Sequence, residues 1–198
     1  MMIVSCSTQL AGFVAKTNYV ADGFNEKTLS GNTICTGLLF DLQGKIITDT
    51  MNEIRDLKKL SDFRSDLKLI LFSQVKNQLD QKIGTEQCDS LFLQLYSGTT
   101  VQMQLLDKLW KSVDSDFMMV MYIRDAMNIK TFDNAQKKRV RIEASLWNCR
   151  DQESVWRVEV FGIVEGGEAA DREVINAAVK KVYESLPYTV PAYESGKW

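Results

Sequence analysis

The sequence has no histidine at all. That removes the commonest general base and the commonest metal ligand, so serine triads and histidine-bearing zinc sites are excluded. The four cysteines, Cys6, Cys35, Cys88 and Cys149, include no CxxC pair, so zinc and thioredoxin-like chemistry lack their usual signature. No segment approaches the about 18 consecutive apolar residues of a membrane helix. Neither a GxGxxG nor a GxxxxGK[ST] pattern occurs, and Gly166-Gly167 before a helix reads as a plain turn rather than a phosphate cradle. Charge is nearly balanced, at −2, which makes no case for nucleic acid. The one dense basic run, Lys137, Lys138, Arg139 and Arg141, lies between two strand-like stretches and reads as a solvated hairpin end. Asp41, Asp49, Asp56, Asp62 and Asp66 match no calcium-loop spacing and read as solvated charges. No catalytic residue, metal ligand or cofactor is therefore expected, and the expectation is a non-enzyme.

What is present suits one α/β domain with tails. The chain has 198 residues, 45% hydrophobic and 25% charged, enough for a sizeable core. Residues 33–42 read as a core strand, with Ile34, Leu38, Phe40 and Leu42 at period 2. Residues 45–51 read as a returning strand. Residues 59–83 carry an apolar stripe at helical spacing from Leu60 to Ile83, closed by Gly84. Residues 89–96 read as a strand. Thr99 and Gln102 have capping-box spacing, opening a helix to about Val113. Residues 116–123 are a continuous apolar run suited to a central strand covered on both faces. Residues 139–147 and 155–164 alternate cleanly around a hairpin loop at 148–154, so one sheet face should meet water. Residues 168–186 form the last helix, with Ile175, Ala178, Val179, Val182 and Leu186 inward and Pro187 as its stop. The expected fold is α/β (α+β): a mixed sheet of about five strands bearing amphipathic helices, in the order β-α-β-α-β-β-β-α.

The first residues carry a separate signal. Ile3-Val4-Ser5-Cys6 resembles a bacterial lipobox, in which a signal peptidase cuts before the cysteine and the thiol takes a lipid. Ser7 is similar to residues found in lipoproteins sorted to the outer membrane. Only five residues precede Cys6, shorter than a full signal. Either the true start lies upstream, or the signal has been trimmed, or the match is chance. Residues 7–31 show no clean period, apart from a short helix or strand around 10–20, so residues 1–31 read as a start and tether.

The element order is similar to the periplasmic domain shared by the TolB N-terminal region, the curli secretion lipoprotein and the lipoprotein activators of penicillin-binding proteins. The stretches that carry the resemblance are SDFMMVMYI, RVRIEASLW, SVWRVEVFG and the closing ESLP. It spans about residues 33–187 and implies a domain over 32–187 with a tail at 188–198. The long connection at 43–59 departs from the pattern, and no pair of long alternating segments is available for a secretion pore. The resemblance implies a periplasmic lipoprotein, anchored at Cys6 to the outer membrane, acting as an accessory or assembly component through contacts with other envelope proteins. A cytoplasmic ligand-binding domain or enzyme, and a self-assembling homo-oligomeric ring subunit, are the alternatives. Trp147 and Trp156, flanking the 148–154 loop, and Arg157 beside them are candidate partner-docking residues. Cys35 and Cys88 are candidates for a disulfide in an oxidising periplasm, and a buried free thiol is the other reading of each.

Overall fold

The computed structural model describes residues 12–40, 67–70, 72–97, 103–130, 136–165 and 171–187. In chain order the described elements are β1 (Val14–Val20), α1 (Glu26–Leu29), β2 (Thr33–Phe40), β3 (Lys68–Ile70), α2 (Phe72–Ile83), α3 (Thr85–Ser97), α4 (Met103–Ser112), β4 (Phe117–Lys130), β5 (Gln136–Asn148), β6 (Glu153–Glu165) and α5 (Asp171–Glu184). The six strands make one mixed sheet in the order β1-β6-β5-β4-β2-β3. β2 runs parallel to both β3 and β4. β4, β5 and β6 form an antiparallel meander, and β1 closes onto β6, also antiparallel.

Period-2 alternation sorts the side chains between two cores. Phe117, Met119, Met121 and Ile123 of β4 join Val140, Ile142, Ala144 and Leu146 of β5 and Trp156, Val158, Val160 and Val164 of β6 in one cluster. Val174, Ala178, Val182, Tyr183 and Leu186 of the α5 segment cover that cluster. Met118 and Val120 of β4 point the other way, where Leu79, Leu91, Leu109 and Trp110 of α2–α4 meet them with Cys35. β4 is therefore buried on both faces, which is why its run contains no polar residue between Phe117 and Met121.

The clamp between β2 and β4 is polar. The Thr33 amide and hydroxyl both donate to Asp116 Oδ2, at 2.7 and 2.8 Å. These bonds hold the Asp116 carboxyl below the ordinary aspartate range, the Thr33 backbone bond contributing most. A glycine serves one close approach: a Cβ at Gly162 would collide with the Phe13 ring, which lies against the sheet there.

The sheet and its helices match the expected class, with differences in detail. The sheet has six strands rather than about five, and five helices are described rather than three. Residues 89–96 lie in α3, not in a strand. Within the expected 59–83 helix, Lys68–Ile70 is a strand paired with β2. Its Leu69 joins one core and Ile70 the other, a period-2 signature hidden inside the helical stripe. Val14–Val20, within the stretch read as a tether with a short helix or strand around 10–20, is a full edge strand. The last helix turns slightly from the expected stripe, burying Val174 and Tyr183 and leaving Ile175 and Val179 half-buried. The expected strand at 45–51, the Thr99–Gln102 capping box and the Gly166-Gly167 turn lie outside the described residues.

Candidate docking surface

The helices of the second core reach β2, β3, β4 and the end of β5. The same face of the sheet continues across β5, β6 and β1, and there the side chains are solvated. Register fixes which residues stand on it. Arg139, Arg141, Glu143 and Ser145 of β5 pair with Ile163, Phe161, Glu159 and Arg157 of β6. Phe161, Glu159 and Arg157 pair in turn with Val14, Lys16 and Tyr19 of β1. A register shift between Ile123 and Asp125 changes the phase of β4, so that Asp125 and Met127 join this face opposite Arg141 and Arg139.

Among the described residues, four of the five exposed large hydrophobics stand here: Val14 (65% exposed), Met127 (52%), Tyr19 (44%) and Phe161 (41%). The fifth, Val20, ends β1. Charged pairs interleave with them. Arg124 Nε meets Glu143 Oε2 at 2.7 Å, Arg139 Nη2 meets Asp125 Oδ2 at 2.5 Å and Arg141 Nη1 meets Glu159 Oε1 at 3.6 Å. The Arg124 guanidinium also lies 4.9 Å from the Tyr122 ring centre, and burial pushes the Tyr122 hydroxyl up to about 12. Arginine, aromatic and methionine side chains are the types enriched at protein interfaces.

The residues singled out from sequence divide. Arg157 is on this surface: its guanidinium lies 5.6 Å from the Tyr19 ring centre and its Nε donates to Ser154 Oγ at 3.1 Å. Trp147 is half-buried, stacked on Trp110 of α4 with ring centres 6.1 Å apart, and its indole N–H donates to Ser145 Oγ. Trp156 is 1% exposed and belongs to the α5-side core, so it presents nothing to a partner. The alternation of β6 accounts for this, since Trp156 shares its phase with Val158 and Val160. Cys35 and Cys88 are buried thiols of the second core that form no disulfide with each other, and Cys149 is a third buried thiol outside any disulfide. Burial pushes the Cys88 and Cys149 thiols up to about 12, and raises Cys35 further, with Cys149 nearby adding to it. Cys6 lies outside the described residues.

Sequence reasoning missed Val14, Tyr19, Met127 and Phe161. Phe161 and Ile163 carried a usable signal, since both are apolar at outward-phase positions of an alternating strand. Val14 and Tyr19 carried none, because only pairing with β6 places them. Among the described residues, no group of three His, Cys, Asp or Glu could hold a metal, and no helix is long and apolar enough to cross a membrane.

No protein-family model and no curated protein matches the sequence. Solved structures with similar architecture include an oligomeric assembly and a bacterial lipoprotein. The PelC dodecamer from Paraburkholderia phytofirmans aligns at 7% identity over 86% of this chain and 94% of that one, with a TM-score of 0.45. Lipoprotein GNA1162 from Neisseria meningitidis aligns at 10% identity over 78% and 99%, with a TM-score of 0.44. The LpoB C-terminal domain from Salmonella enterica aligns at 11% identity over 74% and 88%, with a TM-score of 0.37. At these identities and scores they assign no function to this chain.

Proposed function

We propose that this protein is a lipid-anchored, non-catalytic accessory component of the bacterial cell envelope, tethered at Cys6 on the periplasmic side of the outer membrane and acting through protein–protein contacts. The observation that carries the docking half is the concentration of Val14, Tyr19, Met127 and Phe161 on one solvated sheet face among arginines. An apolar patch rimmed by charge marks an interaction surface more often than a chance exposure. The anchoring half rests on the Ile3-Val4-Ser5-Cys6 stretch. The chain runs from Cys6 to β1, the sheet edge beside that face. A lipid at Cys6 would hold the open face within a few residues of the membrane surface, where envelope partners are concentrated.

Metabolic labelling with an alkyne fatty acid in a bacterial host tests the anchor. Label on the full-length protein that disappears in Cys6→Ala, with the protein moving from the membrane to the soluble fraction, supports it. Equal behaviour of the two forms ends it.

A further inference from the structure

We infer that the open face of β5, β6 and β1 docks a protein partner whose own surface sets carboxylates around apolar side chains, a proposal that rests on the docking role above and names its chemistry. The charge on this face runs against that of the whole molecule. Around the exposed apolar residues, Lys16, Arg124, Arg139, Arg141 and Arg157 stand against Asp125, Glu143 and Glu159, five cations against three carboxylates, with Lys137 further along β5 on the same face, on a chain of net charge −2. The three carboxylates are already taken by Arg139, Arg124 and Arg141. Neither Lys16 nor Arg157 is paired with a carboxylate among the described residues. Both flank the apolar centre formed by Val14 opposite Phe161, with Tyr19 under the Arg157 guanidinium.

The dimensions suit a protein element. From the Tyr19–Arg157 pair to the Val14–Phe161 pair is four residues of β6, about 13 Å of strand. That is a little over two turns of helix, long enough for an apolar stripe at i, i+3 and i+7 with acidic flanks. Cations at the rim of an apolar patch set orientation and encounter rate with a partner of opposite sign.

Other occupants fit less well. Strand addition by a second copy at the β1 edge meets Lys16 in mid-strand and the register shift between Thr17 and Tyr19, both of which blunt an edge. Face-to-face pairing of two copies sets surplus cations against each other. A phosphate backbone or an anionic lipid surface would press against Glu143 and Glu159 and leave the Val14–Phe161 pair unmatched.

The test uses the full chain and two fluorescein-labelled helical peptides of about 18 residues, five turns, one of leucine and glutamate and one of leucine and lysine with the same pattern. Anisotropy titration should show the glutamate peptide binding at least about tenfold tighter, a gap of about 1.4 kcal/mol. Amide chemical shifts should move at Val14, Tyr19, Arg157 and Phe161. Arg157→Glu and Phe161→Ser should each weaken binding about tenfold. Val14→Ser, at a site too exposed to unfold the chain, should weaken it in the same direction. Equal binding of the two peptides, shifts confined to another surface, or unchanged affinity in all three variants overturns the proposal. So does preferential binding to phosphatidylglycerol vesicles, or a dimer that Phe161→Ser dissolves. None of these readings involves Cys6, so failure here and failure of the anchor are told apart by the lipid label.

Discussion

Glu143 of β5 stands directly opposite Glu159 of β6 on the solvated face, and each carboxylate is taken by a different arginine. Arg124, inserted by the β4 register shift, holds Glu143, and Arg141 holds Glu159 from the diagonal position. Like charges directly opposite across antiparallel strands destabilise a sheet. Here the repulsion is offset by side chains the chain brings from either side. The same arrangement leaves a lattice of fixed arginines around the exposed apolar residues.

The first prediction follows from that lattice. Arg141→Gln should lower stability by about 0.5–1 kcal/mol, since an exposed pair is worth little but its loss also leaves two carboxylates facing each other. The deficit should shrink in high salt and should largely vanish in the Arg141→Gln, Glu159→Gln double variant. Urea unfolding midpoints of the four proteins in low and high salt check this; a purely additive pair would contradict the coupling.

Asp116 should make the protein acid-sensitive. Its folded carboxyl is held below the ordinary value by the Thr33 backbone and side-chain bonds. A depressed pKa contributes stability that is present above the unfolded value, about 4, and is lost as the pH falls through the folded value. Asp116→Asn should cost about 1 kcal/mol at neutral pH, because the carboxylate is solvated and water competes for its bonds. It should also flatten the stability profile below about pH 4. Thermal melts across that range read both effects.

Gly162 and Phe13 should be strongly coupled. A Cβ at Gly162 occupies the space of the Phe13 ring, so Gly162→Ala should cost about 1–3 kcal/mol, the range for overpacking. Phe13 stands just before the edge strand β1. Removing its ring in Phe13→Ala should abolish most of the added cost of Gly162→Ala. A double-mutant cycle by chemical denaturation gives the coupling, and additive values would show that the ring yields freely.

Cys35, Cys88 and Cys149 should all be found reduced and unreactive in the native protein. All three are buried and their thiols are pushed upward, away from the nucleophilic thiolate. Cys35 pairs with Met118 of β4, while the Cys149 amide bonds to Asp116 on the other side of that strand. Two strand spacings, about 9–10 Å, exceed the reach of a disulfide. Alkylation followed by mass spectrometry, without reductant, should label none of the three in native buffer and all three in denaturant.

Much of this architecture was legible in the residues. The outward and inward phases of 139–147 and 155–164 became β5 and β6 with the expected faces, and 116–123 became part of a strand buried on both sides. The errors fell where local patterns are degenerate. DSLFLQLY is a short unbroken apolar run that suits a strand or a buried helix equally, and only packing of Cys88 and Leu91 against the second core decides for α3. Leu67 to Ile70 satisfies a helical stripe and a strand at once, and pairing with β2 decides for the strand. Of the candidate site, Arg157 was readable as exposed, whereas Trp156 shared the inward phase of its strand and belonged to the core from the start.

Side-chain periodicity is a local property, so the sequence alone settled the class of the fold, the phase of its alternating strands and the absence of histidine chemistry. Which strand lies beside which is a non-local property. Residues 14–20 have no strong pattern of their own, and they become an edge strand only because β6 offers an unpaired row of amides and carbonyls. That one pairing brings Val14 against Phe161 and Tyr19 against Arg157, residues more than a hundred positions apart, and with them the surface on which the proposed docking depends.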